Sequence, residues 1–377
     1  MRLSILLLAA LVLSGCQTSQ LSSGHERFVA DTQPISFLSP APFHERCEIG
    51  GTSYFESADA EFVTSNHIRE TRAIKKSIQG LLVLMLNPAT RDESAFKKFL
   101  TDFVTHIDDG NFQGVRDSQR GISSFDYDAD GRGTPDPGYG AQSLLVNVAK
   151  LVSLADSLNI WASEEQREKV IRWGNKLRQE SHQDRRGRTY SRQMNDNVAM
   201  RALSYLAWSM VSGSSALRKE AEKAFDHTLN RLNSDGSMTD WLDEKHRAHR
   251  KDSALKEDDK TVGYLVIAAH YASFLGADWY QKESYQGQTL DDAVAWLLSA
   301  HTKPDSTNQA LKLKDQLKIG SGLNLGDWAW TTAYVADRAD TPTGRALREV
   351  SKNYEGLGYW NKQLGYTSCY YGYVGDN

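Results

Sequence analysis

Residues 195–212 read Asn-Asp-Asn-Val-Ala-Met-Arg-Ala-Leu-Ser-Tyr-Leu-Ala-Trp-Ser-Met-Val-Ser. Asparagine or aspartate at the head of such a run accepts a hydrogen bond from a free backbone N–H of the first turn, and a helix start favours an anion. Val198, Ala202, Leu206 and Met210 recur every fourth residue, which puts them on one stripe of a helix. Asn197, Arg201, Tyr205 and Trp208 share the neighbouring face. The pattern predicts a helix with its back in a core and a sugar cleft in front of it. An N-cap followed by a solvated polar face is the competing reading.

The same three-and-four periodicity extends in both directions, over 66–86, 93–107, 141–157, 163–180, 215–233, 259–275, 289–300 and 327–338. Ser163 followed by Glu164 and Glu165 is a start signal, as are Asp291 and Asp292 early in their segment; Gly213 and Gly276 are stops. Strict alternation is scarce, so few strands are expected. Paired long helices without a fixed-period repeat predict an all-α fold, an α/α toroid or incomplete α/α barrel.

Two long loops carry unusual chemistry. Residues 124–140 contain Asp126, Asp128 and Asp130, then Gly131 and Asp136, which reproduce the opening of a calcium loop. Pro137 stands where that loop needs its bidentate acid. A structural calcium ion and a polar Asp-rich turn both remain open, and no other cofactor is required. Residues 185–195 bring Tyr190 and Arg192 to the head of the helix already described. A third constellation spans Asp235 to Arg250, where an Asp-Gly turn precedes Trp241, His246, Arg247, His249 and Arg250. Arginine grips a carboxylate with two parallel hydrogen bonds, and histidine moves a proton near neutral pH. Taken singly, each of these residues also fits a hydrated charged loop.

The net charge of −4 and the scattered basic residues exclude a nucleic-acid binder. An acidic polymer partner would need a local basic site. Nine Trp and sixteen Tyr offer faces for sugar stacking, but most such residues belong in cores.

The chain opens with a positive residue, an apolar run and Leu13-Ser14-Gly15-Cys16, the layout of a secretory signal over residues 1–15. The last four residues resemble the lipobox of bacterial lipoproteins, which implies acylation of Cys16 and a membrane anchor. Gln17 in place of an inner-membrane Asp favours the outer membrane, so the expected address is the cell envelope. Residues 16–40, rich in Ser, Gln, Thr, Gly and Pro, read as a tether, and 41–377 as one domain. With Cys16 lipidated, Cys47 and Cys369 are the remaining thiols in an oxidising compartment. They pair or stay as separate buried thiols.

From Gly140 to Gly365 the constellations resemble, in their order, the alginate lyase superfamily, and in particular its mannuronate-specific periplasmic members. The family's Asn-Asn-His is matched in part by Asn195-Asp196-Asn197. Its acidic-or-amide-Gly turn is matched by Asp235-Gly236, its Arg-Ala pair by Arg247-Ala248, and its later helices by Thr261–Gly276 and Trp328–Asp337. Asn197 occupies the histidine position. The Tyr-His that follows the Arg-Ala pair falls on Lys251-Asp252 or within an insertion near Lys256–Asp259.

The resemblance implies an α/α toroid that eliminates across a uronate linkage. Asn195, Asn197 and Arg247 would neutralise the carboxylate. Tyr190, His249 or Tyr264 would act as base, and Arg192, Arg201, Tyr205, Trp208, Trp241, His246 and Arg250 would hold polymer. A non-catalytic polysaccharide-binding or export lipoprotein is the second hypothesis. The third is a glycoside hydrolase using two acids among Asp196, Asp240, Asp243 and Glu244.

Overall fold

The computed structural model describes residues 31–38, 68–108, 137–181, 195–238, 254–302, 328–352, 360–361 and 364–371. Its helices are α1 (Ile68–Leu86), α2 (Glu93–Asp108), α3 (Pro137–Ser157), α4 (Glu164–Ser181), α5 (Asn195–Ser212), α6 (Ser215–Leu229), α7 (Ala254–Ser273), α8 (Leu290–Thr302), α9 (Thr331–Arg338), α10 (Pro342–Lys352) and the short α11 (Thr367–Tyr371). Strands β1 (Trp360–Asn361) and β2 (Gly365–Tyr366) form an antiparallel pair.

The starts and stops have the chemistry the sequence suggested. Ser163 Oγ accepts from the Gln166 amide at 3.2 Å, while the Gln166 side chain reaches back to the Ala162 amide at 2.9 Å, a close relative of the capping box. Thr289 and Asp292 cap α8 reciprocally. Gly213 and Gly276, at φ 70° and 73°, end α5 and α7 in the left-handed conformation that glycine adopts without Cβ strain. Helix α10 was not anticipated from periodicity. Pro137 is the first residue of α3, a position where its missing N–H costs nothing.

Helices alternate between an inner ring and an outer layer. α3 packs on α1 at one side and α5 at the other, α5 packs on α7, and α7 packs on α9. α2 and α4 pack together, α6 lies against α5, and α8 and α10 cover α7 and α9.

Paired contacts show that the inner helices run in one direction. Lys75 and Gln79 of α1 bond Ser143 and Asn147 of α3, at equal spacing on both helices. Gln142 of α3 lies beside Asn197 and Arg201 of α5. Further along, both helices bind one strap: Ser153 Oγ accepts from the Phe37 and Leu38 amides, and the Met210 carbonyl accepts from the Ile35 amide. Gly263 meets Trp330, and seven residues on in both helices His270 meets Asp337, so α7 and α9 are parallel as well. This is the all-α toroid expected from the sequence, with one two-stranded sheet among the described residues.

The ring is closed at the C-terminal ends of its inner helices. Residues 31–38 cross those ends: the Asp31 and Thr32 amides donate to the Gly213 carbonyl, and the Asp31 carboxylate caps Ser215. Phe37 lies 4.5 Å from the Tyr271 ring. The C-terminal segment touches α3, α7 and the residues just before α9. Lys150 Nζ donates to the Leu364 carbonyl, Thr367 Oγ1 to the Ala329 carbonyl, and the Tyr271 and Tyr371 hydroxyls share a hydrogen bond of 2.7 Å.

This corrects the tether boundary. Residues 31–38 were expected to lie in a loose segment ending at residue 40, yet Phe37 and Leu38 are buried in the core. Two apolar side chains and their satisfied backbone bind the strap against a composition that otherwise reads as linker.

Candidate active site

Short links join each of the inner helices α1, α3, α5 and α9 to the outer helix that follows it, at 87–92, 158–163, 213–214 and 339–341. The inner helices are entered from long segments instead: 39–67 before α1, 109–136 before α3, 182–194 before α5, 239–253 before α7 and 303–327 before α9. Because the inner helices are parallel, all these segments reach the ring at one end, that of the helix N-termini. That end is the candidate site. The opposite end is crossed by the strap, with Tyr371 bonded to Tyr271 beside it.

Most of the site residues expected from the sequence belong to those entering segments. Tyr190, Arg192, Trp241, His246, Arg247, His249 and Arg250 lie outside the described residues, as do Asp126, Asp128, Asp130 and Asp136, Cys16 and Cys47. Cys369 lies in α11, without a described side chain. Asn195 is the first residue of α5 and Asp196 the second; the Asp196 carboxylate accepts from the Asn197 amide at 2.9 Å. Among the described residues, no group of three or more His, Cys, Asp or Glu side chains could hold a metal ion.

Asn197 and Arg201 do come together, through a residue the sequence reading missed. Gln142 is 2 % exposed on the first half of α3. With its amide turned to suit both neighbours, its nitrogen donates to the Asn197 carbonyl at 3.2 Å and its oxygen accepts from Arg201 Nε at 3.3 Å. Arg201, 3 % exposed, is thereby held one turn below Asn197. A guanidinium near the parallel N-termini of several helices makes this end favourable to anions.

The rest of the expected polar face divides. Trp208 is fully buried; its Nε1 donates to Asn175 Oδ1 at 2.7 Å, and its ring lies where a Cβ on Gly174 would fall 2.2 Å away. Tyr205 is equally enclosed, with the Arg178 guanidinium 6.0 Å from its ring centre. Both are core residues in this structure rather than exposed sugar platforms. The correction has a geometric reason: α5 is an inner helix, with α3, α6 and α7 against it, so only its first turns reach the end of the ring. Tyr264, 1 % exposed, lies in the middle of α7 and is likewise enclosed.

Deeper in the ring, α3 carries a polar stripe that periodicity alone could not interpret. Ser143, Asn147, Lys150 and Ser153 are all fully buried. They bind, in order, Lys75, Gln79, the Leu364 carbonyl and the strap amides. Lys150 also lies 4.4 Å from the centre of the Tyr370 ring. Complete burial pushes its ammonium down to about 7, since low dielectric disfavours the charged form. Polar residues at helical spacing inside an otherwise apolar segment were the available signal.

The architecture defines the class first: a ring of parallel inner helices with an outer layer of helices around it is an α/α toroid. Residues 133–307, from just before α3 to just past α8, match the family model described as Alginate lyase. The resemblance to the alginate lyase superfamily therefore holds over that span. Among solved structures the chain is similar to a histidine-to-alanine variant of alginate lyase A1-III complexed with tetrasaccharide, at TM-score 0.59 and 16 % identity over 82 % of this chain and 80 % of that one. A tyrosine-to-phenylalanine variant of the same lyase, also complexed with tetrasaccharide, gives 0.58 and 15 % over 81 % and 77 %. Alginate lyase A1-III from Sphingomonas species A1 gives 0.57 and 16 % over 81 % and 76 %. No curated protein matches the chain in sequence.

Proposed function

We propose that this chain is a polysaccharide lyase of the bacterial cell envelope, held to a membrane through Cys16 and acting on an acidic, uronate-containing polymer. One observation carries the reading. The alginate lyase match covers the residues that meet near the helix N-termini, Gln142, Asn197 and Arg201, and the sequence positions of Tyr190 and Arg247.

The reaction is β-elimination. A base removes the C5 proton of the uronate, the C4–O4 bond breaks, a C4=C5 double bond forms, and the leaving oxygen takes a proton. Loss of the C5 proton develops negative charge on the carboxylate side, so donors fixed there strengthen in the transition state. Asn195, Asn197 and Arg247 fill that role, with Arg201 adding positive charge from below. The base is Tyr190 or His249 on the segments that enter the ring, since Tyr264 lies enclosed. A calcium ion on Asp126, Asp128, Asp130 and Asp136 would order the segment that enters α3, and a Cys47–Cys369 bridge would tie the two ends of the domain.

A second reading has its own support. Asn197 stands where the family's histidine is expected, which fits a lipoprotein that binds polymer without cutting it. Absorbance near 235 nm distinguishes the two when the domain is mixed with a panel of uronate polymers. Elimination raises it through the conjugated double bond, while binding without a rise leaves the second reading. Hydrolysis would release reducing ends without absorbance.

A further inference from the structure

We propose that Lys260 of α7 faces the axis of the ring and binds a carboxylate of the polymer at the floor of the candidate site, with Lys75 of α1 as a second cation at the same height. The proposal rests on the uronate-polymer reading above and deepens it. It assigns a carboxylate subsite to the inner helices themselves rather than to the segments that carry Tyr190 and Arg247.

The C-terminal segment locates the axis. The Leu364 carbonyl accepts from Lys150 of α3, β2 packs on α1, α11 packs on α9, and the Tyr371 hydroxyl bonds that of Tyr271 on α7. A segment touched by four of the inner helices, on both sides of α5, lies inside the ring. The stripe of α7 that carries Tyr271 therefore faces the axis. Tyr264 stands seven residues before Tyr271 and Lys260 four before that, so the three share one face of the helix.

Burial along this stripe shows how far the axis is filled. Tyr264 and Tyr271 are each 1 % exposed, and every residue of α7 from Thr261 to Ala272 is buried. Lys260 is only half-buried. With α5, α8 and α9 against the other sides of α7, its exposed part opens toward the axis. Thr367, fully buried, bonds the Ala329 carbonyl, and the Gly263–Trp330 and His270–Asp337 contacts put Ala329 level with Val262. The filling segment thus stands within one turn of Lys260, and solvent reaches the axis at Lys260 itself.

Height along the axis is set by the strap, which Ser153, Met210 and Tyr271 all touch. Ser143 stands ten residues before Ser153, and Lys260 eleven before Tyr271, about 15 Å from the strap in both cases. Ser143 also lies seven residues before Lys150, on the stripe of α3 that meets the C-terminal segment, and its hydroxyl accepts from Lys75 Nζ at 2.9 Å. α1 and α7 therefore each bring an ammonium to the axis at one height. Gln142, next to Ser143, ties that height to Asn197 and Arg201. Ammonium groups in a recess are screened less than on an open surface and hold a carboxylate through charge-assisted hydrogen bonds. A polyuronate carries one carboxylate per sugar, so a unit neighbouring the one at Asn197 brings an acid to these groups.

The test titrates the full chain calorimetrically with polymannuronate and with the same polymer after its carboxylates are reduced to hydroxymethyl groups. Wild type is compared with Lys260→Gln, Lys260→Arg and Lys223→Gln. Lys223 is exposed on the outer helix α6 and reports what any surface cation contributes. Lys260→Gln should lower the preference for the acidic polymer by about tenfold, the loss of one charge-assisted hydrogen bond, while Lys260→Arg keeps it to within about threefold and Lys223→Gln changes it by less than about twofold. Should Lys260→Gln fail to fold, Lys260→Met keeps the apolar stem and answers the same question. A preference in the Lys260 variant equal to that of Lys223→Gln overturns the proposal and leaves the polymer reading standing. Wild-type protein that binds neither polymer overturns the polymer reading, and the proposal with it.

Discussion

Gln142 on α3 and Arg201 on α5 share a hydrogen bond of 3.3 Å that joins two inner helices near their N-termini. The same amide holds the Asn197 carbonyl, so one buried side chain sets the height of the asparagine and the arginine together.

Replacing Gln142 by leucine keeps the volume and removes both partners. A buried donor left unsatisfied costs about 1–3 kcal/mol, more for a charged group, so Gln142→Leu should lower the chemical-denaturation midpoint. Activity on uronate polymer should fall further than stability, because Arg201 loses its positioning. A variant with unchanged midpoint and activity refutes the bridge.

Asn197→Ala should reduce turnover by about 10²-fold or more if the amide neutralises the substrate carboxylate. Melting temperature measured on the same variant separates this from unfolding. Retention of wild-type turnover would remove Asn197 from the reaction.

Gly174 leaves no room for a side chain, with Trp208 Cζ2 2.2 Å from the site of a Cβ. Gly174→Ala should therefore destabilise by about 1–3 kcal/mol through overpacking, and Trp208→Ala by about 3–5 kcal/mol through the cavity it leaves. If Trp208 instead served only as an exposed platform, Trp208→Ala would weaken polymer binding with no change in the unfolding curve.

Lys150 makes stability depend on pH in a defined window. Its folded value of about 7 lies below the ordinary lysine value of 10.5. Between those two pH values the unfolded chain therefore binds more protons than the folded one. Stability rises with pH across that window, by at most about 1.4 kcal/mol per unit, and is insensitive to this group below pH 7. Lys150→Met should flatten the rise in denaturation midpoint between pH 7.5 and 9.5. An equal slope in both proteins would show that the ammonium is not buried.

Phe37→Ala should cost about 3–5 kcal/mol, the usual range for a buried phenylalanine, whereas removing residues 16–30 should leave the unfolding midpoint unchanged. The reverse result would return the strap to the tether.

How much of the site could be read depended on where each residue sits. The start of α5 at Asn195 was legible because capping chemistry is local: asparagine or aspartate at the head of an apolar run favours a helix start whatever surrounds it. Gln142 was not, since its partners lie some 55 to 59 positions along the chain. A lone glutamine in an apolar helix gives no sign of which neighbour will meet it.

The sequence by itself determined the long helices up to α9, several of their starts and stops and the toroid class, because a 3.6-residue period and the residues at helix ends act over a few positions. Tertiary structure alone decided which face of each helix is a surface. Asn197, Arg201, Tyr205 and Trp208 share one stripe in sequence, yet α5 is enclosed by α3, α6 and α7. Tyr205 and Trp208 therefore became core, while Asn197 stays part-buried in the first turn of α5. The strap was decided in the same way: residues 31–38 carry no periodicity, and their place was set by Ser153, Met210 and Gly213, groups that only folding brings within hydrogen-bonding reach.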